Sequence, residues 1–181
     1  NTIIITLLGT SINLLFTFTG AYALSKSRLP GMRACMLLIT FTMFFGGGLI
    51  PTYLTVKNLG LVDKWPVVFI LGCVGVRNIV IVRTFIQSNI PESLSEAAFL
   101  DGCSDFGILR QIVLPLSSPI IVVLILYYGV THWNSYFNAL IYLTESKRYP
   151  LQLVLRNILN ANQLDLSEIG GGSFLLHAAN E

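Results

Sequence analysis

Four runs of about twenty mostly apolar residues, joined by short polar stretches, account for most of the chain. A run of that length crosses a bilayer as one helix, because only a helix satisfies its own backbone polar groups in hydrocarbon. The runs are Thr2–Leu24, with Asn13, Thr17 and Thr19 as its polar minority; Ala34–Leu54, interrupted by Gly46–Gly48 and Pro51; Pro66–Ile86, carrying Arg77 and Arg83; and Leu116–Leu143, apolar to Val130 and then polar-aromatic through THWNSYFN. Only 11% of the 181 residues are charged and 54% are hydrophobic. Soluble domains carry about 25% charged residues, so this chain has too little polar surface to coat a globule. The pattern predicts an all-α, polytopic membrane protein.

Charge in the connecting loops predicts the orientation. Lys26, Arg28 and Arg33 follow the first run with no acid among them, whereas Lys57 and Lys64 after the second are offset by Asp63. The positive-inside rule places the first loop in the cytoplasm, and alternation places 57–65 outside, 88–115 in the cytoplasm and everything after Leu143 outside. The N-terminus then starts outside, inside an apolar run, which predicts a fragment with a further span upstream. Pro150 can open a short helix on the outer surface, with Leu151, Val154, Leu155 and Ile158 on one face. Residues 161–181, with the triplet Gly170–Gly172, read as an outer loop. The glycines and proline of the second run make it the flexible one.

Several classes of chemistry are excluded by the motifs. There is no G-x-x-x-x-G-K-[ST] phosphate loop, no HExxH and no GxSxG. Cys35, Cys73 and Cys103 lie far apart without CxxC or Cys/His pairing, so neither a disulfide framework nor a metal site is expected. No carboxylate lies inside a span, which removes the usual residues of a proton relay. A net charge of +2 is too small to suggest nucleic acid. The chain is thus not expected to be an enzyme, nor to hold a cofactor, and its energy must come from elsewhere.

The stretch IPESLSEAAFLDG, residues 90–102, is the acidic exception between two greasy segments. Pro91 and Glu92 suit a helix N-terminus, Gly102 breaks that helix, and Ser104 or Asp105 caps a second one running to about Val113, where Pro115 stops it. Ala97 and Ala98 offer a low-relief surface; Phe99, Leu100, Ile108 and Ile112 supply apolar anchors. A loop lying on lipid favours Lys and Arg, whereas Pro91 to Pro115 holds Glu92, Glu96, Asp101 and Asp105 against Arg110 alone. A protein partner suits it better.

Glu96-Ala97-Ala98, Gly102, Ile112, Leu114 and Pro115 stand at the spacing E-A-A-x3-G-x9-I-x-L-P. This resembles the EAA signature of ABC-importer permeases. The flanking segments NTIIITLLGTSINLLFTFTGAYALSK, FFGGGLIPTYLTVKNLGLVD and HWNSYFNALIYL are similar to the maltose-type (carbohydrate) branch, most of all its oligosaccharide importers. The resemblance covers roughly residues 1–160. It implies a type I ABC-importer (MetI-like) helical core in the bacterial cytoplasmic (inner) membrane, here without its first and last spans. It also implies that 91–115 are coupling helices docked on an ATPase subunit, with Glu96 at the contact and Gly102 setting the angle. The implied partners are a homologous permease subunit, two ATPase subunits that bind ATP and magnesium, and an extracytoplasmic solute-binding protein. A carbohydrate, oligosaccharide in kind and acidic if Arg77 meets it, is the implied cargo.

For the cargo path, Arg77 near the centre of the third run, with Asn78 beside it, is either a structural arginine or a polar wall able to pair with carboxylates. Tyr127, Thr131, Asn134 and Asn138 recur at helical spacing and form a polar stripe in the fourth run, thickened by His132, Trp133, Ser135 and Tyr136. Trp133 and Tyr136 also suit an interfacial aromatic belt. The rival expectations are a permease for a non-sugar solute and a membrane scaffold or receptor subunit that moves nothing.

Overall fold

The computed structural model describes residues 1–26 and 31–161, and no strand occurs among them. Arg28 and the outer loop expected beyond residue 161 lie outside the described residues. In chain order the helices are α1 (Thr2–Ser25), α2 (Met32–Phe44), α3 (Leu49–Asn58), α4 (Pro66–Ile70), α5 (Val76–Asn89), α6 (Glu92–Leu100), α7 (Asp105–Ile108), α8 (Leu114–Leu116), α9 (Ser118–Trp133) and α10 (Phe137–Tyr142). A π-helical turn, Leu109–Val113, joins α7 to α8, and a last helix, α11, covers 151–161.

Packing centres on α1, which lies against α5 and α9. The buried face of α1 carries Ile5, Gly9, Asn13, Thr17, Ala21 and Tyr22, whereas Ile3, Leu7, Leu15 and Phe16 point outward. Small and polar residues interleave with Ile5, Phe18 and Tyr22 on the buried face, whereas the outward face is mostly large and apolar. Small and polar residues at the contact are how helices associate in lipid, where close backbone approach and interhelical hydrogen bonds replace the hydrophobic drive. Thr17 Oγ1 and Tyr128 OH share a buried hydrogen bond of 2.7 Å between α1 and α9.

The four expected spans are not four straight helices. Among the described residues only α1 is long and apolar enough to cross a bilayer alone. The second run bends by 111° between Ala34–Phe44 and Leu49–Asn58, at the expected glycine triplet. The third run, read as one span, is two helices separated by Leu71–Gly75, with Gly72 at φ +83°. The fourth is also interrupted: α9 ends at Trp133 and α10 begins at Phe137. Glycine pairs and competing polar side chains explain both corrections, since hydropathy counts apolar atoms and is blind to backbone conformation.

Pro115 does not stop the helix that begins at Asp105. The helix continues to Leu116 and turns by 82° only there, before Ser118–Trp133. A proline inside an α-helix lacks its N–H and clashes with the carbonyl four residues back. Here the preceding turn widens, with Leu114 N–H donating to Leu109 O five residues back, and that widened ladder accommodates the ring.

The loops gather at two opposite ends of α1. At one end, Lys26 pairs with Asp105, and Arg83 Nε and Gln87 Nε2 donate to the last carbonyls of α1, Leu24 O at 2.9 Å and Ser25 O at 3.1 Å. At the other, Asn1 Nδ2 donates to Lys147 O at 2.6 Å and Leu151 N–H to Thr2 Oγ1 at 2.8 Å. Asp63, in the left-handed region at φ 60°, joins the same end: its N–H donates to Tyr142 O and its carboxylate accepts from Thr144 N–H. The loops thus fall into the two groups expected from their charges. In α11 the face Leu151, Val154, Leu155 and Ile158 is exposed, and the anchoring residue is Leu153, fully buried.

Candidate functional site

Residues 90–117 form an elbow. α6 opens after Pro91 with Glu92 in its first turn and closes where Gly102 takes φ +81°, a conformation costly for any residue with a Cβ. Ser104 then caps α7, its Oγ accepting from Gly107 N–H at 3.2 Å. The elbow is continuous with the bundle core: Ala98, Ile108, Leu109 and Val113 are buried in one cluster with Phe18, Tyr22, Val82 and Tyr128. Two expected outward contacts are therefore inward ones. Ala98 and Ile108 face the chain's own core, and Ile112 is half-buried; Ala97, Phe99 and Leu100 remain outside. Phe106, 70% exposed, joins Phe99 and Leu100 as an outward apolar knob that the sequence reading passed over. Glu96, Gly102, Leu114 and Pro115 are exposed.

A polar latch ties this elbow to α1. Tyr22 OH donates to Asp105 O at 3.3 Å, and the Lys26 ammonium meets the Asp105 carboxylate while lying 5.0 Å from the Tyr22 ring centre. Burial lowers the Lys26 pKa, but its hydrogen bonds to Asp105 and Tyr22 outweigh that, so it lies above the ordinary 10.5.

The expected path residues divide. The Arg77 guanidinium lies 5.4 Å from the Tyr127 ring centre, so these two come together on an exposed face. Thr131 lies on α9 with Tyr127 and Asn134 caps its C-terminus, but Thr131 Oγ1 donates to Tyr127 O at 2.7 Å and Asn134 Nδ2 to Val130 O at 3.0 Å. Asn138 does not continue the stripe, because it sits on α10 beyond the Asn134–Tyr136 break. Asn78 turns away from Arg77 and is 8% exposed, within the bundle. His132, expected beside the stripe, is 6% exposed on the opposite side of α9. Arg156, which the sequence did not single out, stacks 4.3 Å above the Tyr136 ring.

His132 belongs to a node with no local sequence signal. Its ring fills the space beside Gly9, where a Cβ would come within 2.7 Å of it. The Asn13 amide, oriented to satisfy its partners, accepts from His132 Nε2 at 3.1 Å and donates to Gly9 O at 3.0 Å and Cys73 O at 3.2 Å. Cys73 lies in the break of the third run. Asn13 thus supplies a donor to the backbone freed by the break. Among the described residues no group of three metal-binding side chains occurs.

Residues 2–176 match the family described as binding-protein-dependent transport system inner membrane component. The chain belongs to that family. This places it in the inner membrane as a transport component, with an ABC-importer permease fold. It is 43% identical over 174 residues to the polygalacturonan/rhamnogalacturonan transport system permease protein YtcP of Bacillus subtilis (strain 168), covering 94% of this chain and 60% of that one. Against protein LplC of the same organism it is 44% identical over 156 residues, 86% of this chain and 52% of that one. The chain therefore spans only part of the length of these relatives. Its fold superposes with a TM-score of 0.84 and 38% identity on a crystal structure of a bacterial ABC transporter involved in the import of the acidic polysaccharide alginate, over 87% of this chain and 56% of that one.

Proposed function

We propose that the chain is the membrane-spanning core of an ABC-importer subunit that moves an acidic oligosaccharide inward by alternating access. The observation that carries this reading is the elbow. A segment with exposed Glu92, Glu96 and Asp101 and the knobs Phe99, Leu100 and Phe106 is set rigidly into the core cluster of α1, α5 and α9. A partner that grips those knobs moves the bundle, because close-packed interiors transmit displacement instead of absorbing it. The partner is an ATPase subunit, two copies per transporter, which binds the ATP and magnesium that this chain has no phosphate loop to hold. The acidic class of the cargo is supported by the names of the relatives and by the exposed Arg77. Arg77, Tyr127 and Thr131 lie on an open face, so a second, homologous permease subunit is needed to close a path around the solute. A solute-binding protein delivers it at the end carrying Asp63 and α11.

The test uses the full-length protein with its partner subunits in proteoliposomes. Gly102→Pro or Glu96→Lys should abolish substrate-stimulated ATP hydrolysis and uptake together while leaving the protein in the membrane. Intact coupling in both variants would overturn the elbow's role.

A further inference from the structure

The part of the elbow that a partner would push on is the part the bundle holds least. Residues 99–107 carry the knobs Phe99, Leu100 and Phe106, and of the apolar side chains in this stretch only Cys103 packs against the core cluster. Full burial resumes at Ile108, which is 1% exposed. Gly102, at φ +81°, sits in the middle of the stretch, and among the described residues nothing lies within 4 Å of the place its Cβ would take. A force on such a tip bends it unless a further tie holds it.

Asp105 supplies that tie, one residue before Phe106. Among the described residues, the hydrogen bonds that join 99–107 to a helix outside the elbow both end on Asp105. Tyr22 OH donates to its backbone carbonyl at 3.3 Å, and the Lys26 ammonium donates to its carboxylate. One grip on the main chain and one on the side chain fix both the place and the orientation of the residue. Both donors belong to the end of α1, Tyr22 in its last turn and Lys26 as its C-cap. The other leg of the elbow meets the same helix end, where Arg83 and Gln87 of α5 donate to Leu24 O and Ser25 O. The Asp105 side chain is 71% exposed, and exposed ion pairs add little to folding stability. Stability is therefore a poor account of this pair, and position is a better one.

We propose that Lys26, Tyr22 and Asp105 are positioning residues that pass displacement of the elbow tip into α1. Tyr22 carries it inward, because its side chain is buried in one cluster with Val82 of α5 and Tyr128 of α9, and a close-packed interior transmits displacement. The inference rests on the elbow reading above and adds the residues through which the tip drives the bundle.

The test uses the complete transporter built with the full-length chain, with Cys35, Cys73 and Cys103 replaced by alanine. Spin-label pairs join Leu38 in α2 to Leu15 in α1 and to Leu94 in α6, all exposed. ATP should shift both distances in the parent protein. Asp105→Lys and Lys26→Asp should each shrink the 15–38 shift while the 94–38 shift stays, and the exchanged double variant should recover it. Tyr22→Phe, which keeps the ring in the core, should shrink it less. A pair that only stabilised the fold would lower the detergent melt and leave the 15–38 shift intact. Should a reversal fail to assemble, Asp105→Asn gives the same reading, because it removes the charge and keeps the shape. An undiminished 15–38 shift in these variants, or a loss that the double variant does not recover, overturns the inference and leaves the elbow reading standing. If ATP moves neither distance in the parent protein, the elbow reading itself fails and the inference falls with it.

Discussion

The second and third apolar runs are both broken at glycines, but their breaks are unlike. Between α2 and α3 the triplet Gly46–Gly48 is exposed; among the described residues nothing lies near Gly46 or Gly48 and only Pro51 near Gly47. The flanking Phe44, Phe45 and Ile50 are at least 66% exposed. Between α4 and α5 the break is filled: Asn13 holds Cys73 O, His132 holds Asn13, and Asn78 and Tyr128 close over Gly75. The first break is a bend with few partners inside the chain, free to change angle or meet another surface. The second is held by side chains from two other helices. A glycine interruption alone does not make a hinge; what packs against it decides.

Substitutions at the two breaks should separate accordingly. The largest effect belongs to Gly9→Ala, whose methyl would collide with the His132 ring and cost about 1–3 kcal/mol. A detergent melt should fall by several degrees, and the double variant with His132→Ala should lose less than the sum of the singles. Next, Asn13→Leu strips Cys73 O and His132 Nε2 of their partner at about 1–3 kcal/mol. The same melt reads it, and thiol reagents should reach Cys73 faster. A smaller effect concerns the latch that joins the elbow to the filled side. The folded Lys26 pKa is raised, so its stabilisation is fully present below 10.5 and is lost as pH climbs through the raised value. The melting temperature should fall as pH climbs above 10.5, less so in Lys26→Met. Smallest of all, Gly47→Ala at the open break should change stability by less than about 0.5 kcal/mol. A loss at Gly47 as large as that at Gly9 would erase the distinction.

Much of the elbow was legible because its determinants are local. Pro91, Gly102 and Ser104 act within a few residues, and the loop charges sort the two ends one residue at a time. The filled break was not legible. Gly72 and Gly75 were visible in LGCVG, but the run remained apolar, and the donor for Cys73 comes from Asn13, far back in the chain. Asn13 and Thr17 were noted as a polar minority of the first run, yet their partners His132 and Tyr128 lie 119 and 111 residues away. The stripe from Tyr127 to Asn138 failed for a related reason: spacing assumes one helix, and Asn134 to Tyr136 interrupt it. Pro115 was read as a stop because the usual ladder has no room for its ring, whereas a widened turn does. Ala98 looked like a docking surface because a small residue suits a close neighbour, and sequence does not say whose backbone that neighbour is.

The central claim is that the elbow and the α1–α5–α9 bundle move as one body while α2 does not. Spin labels at Leu94 in α6, Leu15 in α1 and Leu38 in α2, each exposed, test it directly in the complete transporter with and without ATP. The account predicts an unchanged 94–15 distance and a shifted 94–38 distance when nucleotide binds. A 94–15 distance that shifts as much as the 94–38 distance would contradict it.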